Sequence, residues 1–296
     1  MNCCHNTLST PDSKLFKTTM AAVLIALWSC LLPAVASTDK TIEPFPQEPI
    51  TMDNDEISRV ITEIHQSRIL LQKIIMNYHL FSVRGSDPVY NKAIETHTKT
   101  FAVLQSSLSK TLNKNQISDS SSLQSNWKSF NKLLSNNRSR LKKKRSVNAQ
   151  LMDNMMASAE LLMTDLVNIS ADISNIYHYE TKPSIVKTRE LSIIMQQLAT
   201  HYAGRSSSSF GVSQKAQENE KTIDVLAKEF AGKLAELAQH KENNEEIKAL
   251  FNRVNTKWRF IEKPLEDYTE SSIPFLITRY SDHIITVLQK IASLYQ

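Results

Sequence analysis

The stretch from Ser67 to Tyr78, "SRILLQKIIMNY", lies in the middle of a segment with strong helical periodicity. Around it, steps of alternately four and three residues give the spacing of a packed helical seam. The seam positions are Ile57, Ile61, Ile64, Arg68, Leu71, Ile75 and Tyr78. Only Arg68 interrupts this apolar face. An arginine there must be paired, extend out of the seam, or bind something.

The composition favours an all-α protein. The chain has 296 residues, of which 41% are hydrophobic, enough for one large or two modest cores. It contains only four glycines. Such scarcity disfavours phosphate loops, hairpin turns and doubly wound sheets, which need glycine for positive φ or close backbone approach.

The N-terminus has the pattern of an export signal. Lys14 and Lys17 precede the apolar run Met20–Leu32, and small residues follow at Ala34 and Ala36. This predicts a signal peptide over 1–36, cleaved after Ala36, and a periplasmic protein. An uncleaved anchor is the alternative, although the run is shorter than the ~20 residues that span a bilayer. The proline-rich residues 37–52 are expected to form an extended tether.

Few residues support catalysis or a metal. Cys3, Cys4 and Cys30 all lie in the leader, so the mature chain has no disulfide and no thiolate nucleophile. The sequence contains no G-x-S-x-G motif, no H-E-x-x-H motif and no glycine-rich cofactor loop. We therefore predict a non-enzyme without catalytic residues, metal or cofactor. An enzyme would need clustered histidines and acids. The net charge of +5 does not by itself indicate nucleic acid.

Breaks at proline, glycine and polar runs divide the chain into eight predicted helices. Their approximate bounds are 53–82, 89–113, 122–140, 147–178, 185–203, 213–241, 244–268 and 275–296.

An internal repeat groups these helices. A shift of 124 residues places Gln72–Tyr78 on Gln196–Tyr202, and later in each half Trp127–Leu134 matches Trp258–Leu265. We therefore predict two tandem antiparallel four-helix bundle modules, over 53–180 and 181–296. The recurring tyrosines are expected to pack their rings and hydrogen-bond their hydroxyls outward. The two tryptophans are expected to anchor the cores.

The segment Arg68–Lys73, "RILLQK", resembles a conserved box in the helical sensor domains of type IV pilus methyl-accepting chemotaxis transducers, the PilJ type. These domains are related to the periplasmic domains of the nitrate and nitrite sensor kinases NarX and NarQ. In the nitrate sensors the matching arginine binds the anion at a dimer interface. The resemblance therefore implies a ligand-binding role for Arg68 and a protein of pilus or chemosensory signalling. In the second half, Ser192 stands where the first half has Arg68.

Arg68 and Gln72 share a helical face, which His79 extends. Together with Gln196, the repeat counterpart of Gln72, they form the predicted binding set for a small oxyanion, carboxylate or peptide. The alternative is structural: Arg68 pairs with a buried acid of the fourth helix, or fixes the packing register. Asp153 and Asp165 are the acids available for such a pair.

A basic stretch, Arg138–Arg145, joins the third and fourth helices. It could contact anionic lipid, peptidoglycan or an acidic partner, or simply be a solvated helix end. The contact residues predicted from it are Arg140, Lys142, Lys143, Lys144 and Arg145. The fourth helix is rich in methionine, which fits core filling better than a copper site. Its methionines are Met152, Met155, Met156 and Met163.

Two functions remain open from the sequence. The first is a periplasmic recognition protein that binds a small anion or peptide and contacts an envelope, pilus or chemoreceptor protein. The second is an envelope scaffold without a small-molecule ligand. The Arg68 seam is covered either by the second module or by a second copy in a homodimer. Membrane contact is expected only if the leader stays uncleaved, and no nucleic acid is expected.

Overall fold

The described part of the chain is all-α, as the composition predicted. The computed structural model describes residues 52–83, 86–117, 120–208, 221–266 and 274–296. Within these ranges it forms eight helices and no strand, and all eight belong to one compact unit. The predicted leader and most of the tether lie outside the described residues. The helices are α1 Asn54–Val83, α2 Pro88–Asn115, α3 Ser120–Lys144, α4 Ala149–Ile176, α5 Pro183–Ser208, α6 Ile223–Ala238, α7 Glu245–Glu266 and α8 Pro274–Leu294.

Helix ends follow local capping chemistry. The Asp53 carboxylate accepts a hydrogen bond from the backbone N–H of Glu56 at 2.7 Å, which satisfies a free donor at the start of α1. α3 continues to Lys144, past the predicted end at 140, because lysines suit the negative end of a helix dipole. Arg145, with φ of 50°, then ends it.

α6 is shorter than predicted. It spans Ile223–Ala238, whereas the sequence indicated 213–241. At its C-terminal end, the Asn243 amide donates to the backbone carbonyls of Leu237 at 2.7 Å and Ala238 at 3.2 Å. The Leu237 carbonyl also accepts from the backbone N–H of His240 at 3.1 Å, so the last carbonyls of α6 have partners outside the helix and the helix can stop there. Residues 213–220 lie outside the described residues.

Two groups of buried side chains form the core. The first comes mainly from α1 to α4, and the second mainly from α5 to α8. In the first, Trp127 stacks on Phe101 with ring centroids 4.4 Å apart; in the second, Trp258 packs on Phe230 at 4.5 Å. Each tryptophan thus contacts a phenylalanine of the preceding helix, which fits the expected anchoring role.

α1 and α5 pack together at the centre and run in the same direction. Arg189 Nη2 donates to Thr62 Oγ1 at 2.7 Å. Further along both helices, Thr200 Oγ1 donates to the backbone carbonyl of Gln72 at 3.3 Å. Because the contacts advance together towards both C-termini, the two helices are parallel. This pair therefore joins the two core groups.

The apolar seam of α1 is buried as predicted, with one correction. Tyr78 is fully buried, and its hydroxyl has no hydrogen-bond partner among the described residues. The expected outward hydrogen bond is therefore wrong for Tyr78, because the hydroxyl does not reach the surface. Burial also raises the pKa of this phenol well above its ordinary value.

Candidate functional site

A cleft of about 760 Å³ opens between α1, α4, α5 and α6. His65 and Arg68 enter it from α1, one turn apart. Arg189 and His201 enter it from α5. The cleft thus lies where the central helix pair meets one helix from each half of the chain, and each half contributes one arginine.

Arg68 is half-buried in this cleft and unpaired. Its Nε atom is inaccessible to solvent and has no hydrogen-bond partner, and no described carboxylate forms an ion pair with it. Burial lowers the pKa of its guanidinium from the ordinary value, and the charge of Glu190 opposes this shift. The structure does not pair Arg68 with the acids of α4. Asp165 instead accepts hydrogen bonds from Ser122 and Asn126 on α3, and Asp153 is exposed.

Arg189 is also half-buried, and within the described residues its side chain donates a hydrogen bond to the neutral Thr62 hydroxyl. Burial lowers the pKa of this guanidinium as well, with Tyr179 acting in the opposite direction. Arginine stays protonated at physiological pH in spite of such shifts. Arg68 and Arg189 therefore bring two positive charges into the cleft without a carboxylate partner in the described part of the chain.

The other charges that line the cleft cancel in pairs. Lys221 lies 2.6 Å from the Glu229 carboxylate, and Lys233 lies 2.9 Å from that of Glu190. All four side chains line the cleft. Two lysines are thus matched by two glutamates, and the charge left over is that of the two arginines. The cleft is accordingly electropositive on the arginine side.

His65 lies close to both arginines. The side chain is 7% exposed, and its Nε2 atom is buried without a hydrogen-bond partner. Burial lowers the pKa of this imidazole to about 3, and the charges of Arg189 and then Arg68 act in the same direction. At neutral pH His65 is uncharged and can offer one donor and one acceptor. A buried polar atom without a partner among the described residues calls for an explanation, and a ligand bound beside the two cations would supply one.

The other predicted ligand residues do not line this cleft. Gln72, Gln196 and His79 are 9%, 0% and 1% exposed, respectively. Gln196 Nε2 contacts Met76 Sδ at 3.6 Å and Thr200 Oγ1 at 3.3 Å, inside the α1–α5 interface. Burial lowers the pKa of His79 to about 4, with a smaller contribution from the nearby His201. Of the predicted set, only Arg68 reaches the cleft.

The predicted basic contact residues form a separate surface. Lys142, Lys143, Lys144 and Arg145 are exposed at the end of α3, and Arg140 is half-buried. None of them lines the cleft. Arg138, in the same stretch, is neutralised by Glu95 at 2.6 Å.

The methionines of α4 pack in or against the first core group, as core filling predicts. Met152 and Met155 are fully buried, and Met156 and Met163 pack against the same group. Within the described residues, no group of three or more histidines, cysteines or acids is arranged to hold a metal ion. No helix in the described ranges combines the length and apolar character needed to cross a membrane.

Sequence reasoning missed Arg189 as a partner of Arg68. Under the repeat shift, Arg189 corresponds to His65 and Ser192 corresponds to Arg68. A search for the same residue at the same repeat position therefore finds no second arginine. The available signal was helical spacing. Residues three or four positions apart share a helical face, so a cation one turn from the repeat position can enter the same cleft.

Comparisons of the chain with models of protein families, with curated protein sequences and with solved structures found no significant match.

Proposed function

We propose that this chain is a non-enzymatic recognition protein that binds a small anionic ligand between Arg68 and Arg189. One observation carries the proposal: two half-buried guanidinium groups line the same cleft without a carboxylate partner among the described residues, while the other charges that line it cancel. Unpaired buried charge is costly and is usually retained for function. A bound anion would supply the missing negative charge.

The chemistry of guanidinium suits this role. Each arginine presents N–H donors in a planar fork that can bind a carboxylate or an oxyanion through two parallel hydrogen bonds. The neutral imidazole of His65 adds a further hydrogen-bonding group beside them. Because Arg68 belongs to α1 and Arg189 to α5, a shared anion would link the two halves of the chain.

The cellular role is part of the same proposal and is supported by the leader pattern and the Arg68 box. We place the protein in the periplasm as two tandem four-helix modules, in type IV pilus or chemosensory signalling. Binding of the anion at the α1–α5 pair would then be reported to a receptor or pilus protein by contact. The exposed lysines 142–144 at the end of α3 provide a surface for an acidic partner.

A thermal-shift screen against nitrate, sulfate, acetate and larger carboxylates tests the binding. A ligand at 100 times its dissociation constant should add about 2.7 kcal/mol to the free energy of unfolding. The shift should disappear in Arg68→Met and in Arg189→Met. Arg59→Met is the matched control, since Arg59 lies on the same helix and pairs at the surface with Glu63. Binding that survives both cleft substitutions would refute the proposed site.

The second candidate is an envelope scaffold, favoured by the exposed basic end of α3. In that case no anion in the screen binds, and stably folded Arg68→Met retains its cellular function. Charge reversal at Lys142, Lys143 and Lys144 would instead abolish it.

A further inference from the structure

We infer that the ligand is an organic carboxylate with an apolar body, rather than a small inorganic oxyanion. This inference rests on the proposed function and specifies the chemical class that the same cleft accepts. It comes from the size of the cleft, the side chains opposite the arginines, and the way its charges cancel.

The cleft is too large for an inorganic anion alone. Its volume of about 760 Å³ lies in the range of roughly 300–1,000 Å³ typical of sites for organic ligands. A water molecule takes up roughly 30 Å³ of liquid, so an anion of four or five heavy atoms would leave most of the cleft to solvent. An organic molecule would fill the space and remove apolar surface from water.

Six of the eighteen residues that line the cleft are apolar, and Val186 is the most exposed of them. Isoleucines from α1 and α5 and a leucine from α6 line the cleft, together with Val186, which is 40% exposed. The other apolar lining residues are Ile61, Ile64, Ile193, Ile194 and Leu226. Such a wall gains nothing from contact with nitrate or sulfate, but it favours a hydrocarbon chain or ring.

The charges indicate a single anionic end. Arg68 and Arg189 both lower the pKa of the same imidazole, so both lie close to His65. The remaining lysines and glutamates that line the cleft neutralise each other. A carboxylate at the arginine side and an apolar body along the wall match this distribution. A ligand with a second charge far from the arginines does not.

A homologous series of acids tests the inference. Formate, acetate, butyrate, hexanoate and octanoate should be titrated calorimetrically into the protein, beside nitrate and sulfate. Each methylene that leaves water should tighten binding about fourfold, and acetate to hexanoate about two-hundredfold. Hexanol, which has the chain but lacks the carboxylate, should bind weakly and equally to the natural protein and to Arg68→Met.

A wall variant separates the apolar contact from the charge. Val186→Thr keeps the shape of a partly exposed side chain and adds a hydroxyl to the wall. It should weaken hexanoate several-fold and leave acetate unchanged. The matched control is Val225→Thr on α6, because Val225 is 45% exposed and does not line the cleft.

The outcomes distinguish this inference from the proposed function. If nitrate or sulfate binds as tightly as hexanoate and depends on Arg68, the anion site stands and the organic-acid inference is overturned. If affinity does not rise with chain length, or Val186→Thr and Val225→Thr behave alike, the inference is also overturned. If no anion binds in an Arg68-dependent manner, the proposed function fails and the inference fails with it.

Discussion

Replacing Arg68 by methionine should stabilise the ligand-free protein. The Arg68 guanidinium is half-buried, its Nε has no partner, and no described acid pairs with it. Burial lowers its pKa, so the folded chain holds this proton less tightly than the unfolded chain does. At neutral pH both states keep the proton. The charge therefore reduces the free energy of unfolding throughout the accessible pH range.

Methionine is flexible and apolar and can occupy the seam beside the neighbouring apolar side chains. Replacing buried ion pairs by packed apolar residues is often neutral or gains about 1–4 kcal/mol, and we take the lower end of that gain for one half-buried cation. We expect a gain of about 1 kcal/mol. This corresponds to a rise in Tm of roughly 2–4 °C for a domain of this size.

Urea unfolding and differential scanning calorimetry, in a low-salt buffer without carboxylates, measure this change. Arg59→Met is again the control. Arg59 has a side chain 47% exposed that pairs with Glu63, so its loss should cost no more than about 0.5 kcal/mol. A stability loss of more than 1 kcal/mol in Arg68→Met would refute the reasoning. It would show that Arg68 is a structural partner in the ligand-free fold.

Three further predictions address the buried polar groups and the site. Tyr78→Phe should raise the free energy of unfolding in urea by about 1 kcal/mol, because the Tyr78 hydroxyl is buried without a partner in the described residues. Tyr295→Phe should lower it by about 1–2 kcal/mol, because the hydrogen bond to Asn243 is lost. His79 has a folded pKa of about 4 against the ordinary 6.5, so between these values only the unfolded chain takes up the proton. His79 alone should therefore lower stability with falling pH by up to about 1.4 kcal/mol per unit, and His79→Gln should reduce the slope by that share, while His65, with a folded pKa of about 3, continues to contribute. Calorimetry with a binding carboxylate should give one ligand per chain. Two ligands per chain would contradict the expectation that only the Arg68 side of the α1–α5 pair binds an anion.

The sequence predicted the helices well because their signals are local. The buried positions of α1 follow directly from its periodic seam, and Pro88 and Pro183 mark the starts of α2 and α5. The predicted end of α6 was wrong because groups beyond the helix, the Asn243 amide and the His240 backbone N–H, donate to its last carbonyls. No propensity or periodicity in the helix itself reports that contact.

The candidate site was only partly predictable. Arg68 stands out because it breaks an apolar pattern, which is visible in one helix. Gln72 shares its helical face but turns into the α1–α5 interface, where the partner helix covers it. Which side of α1 remains open depends on how α4, α5 and α6 pack around it. That arrangement is tertiary, so neither segment alone predicts that Arg68 and Arg189 line the same cleft.

The repeat explains why a single anion site is expected. Gln196 contacts Met76, and a shift of 124 residues converts this pair into Gln72 and Thr200, which are also in contact. This contact thus recurs between equivalent positions of α1 and α5, as it would between two copies related by a two-fold axis. The symmetry fails at the cleft. The counterpart of Arg68 is Ser192, which is 1% exposed and donates to the carbonyl of Thr188 at 3.2 Å.

A second difference concerns the charge on the counterpart side. Gln197 lines the cleft, and its repeat counterpart Lys73 forms an ion pair with Asp282 of α8 at 2.7 Å. An internal carboxylate thus meets the cation on that side, whereas Arg68 and Arg189 have none within the described residues. On one side of the α1–α5 pair, the cation is neutralised by a carboxylate of the same chain. On the other side, the two arginines leave the cleft electropositive. An anion from solution should accordingly find one site per chain, on the side of Arg68.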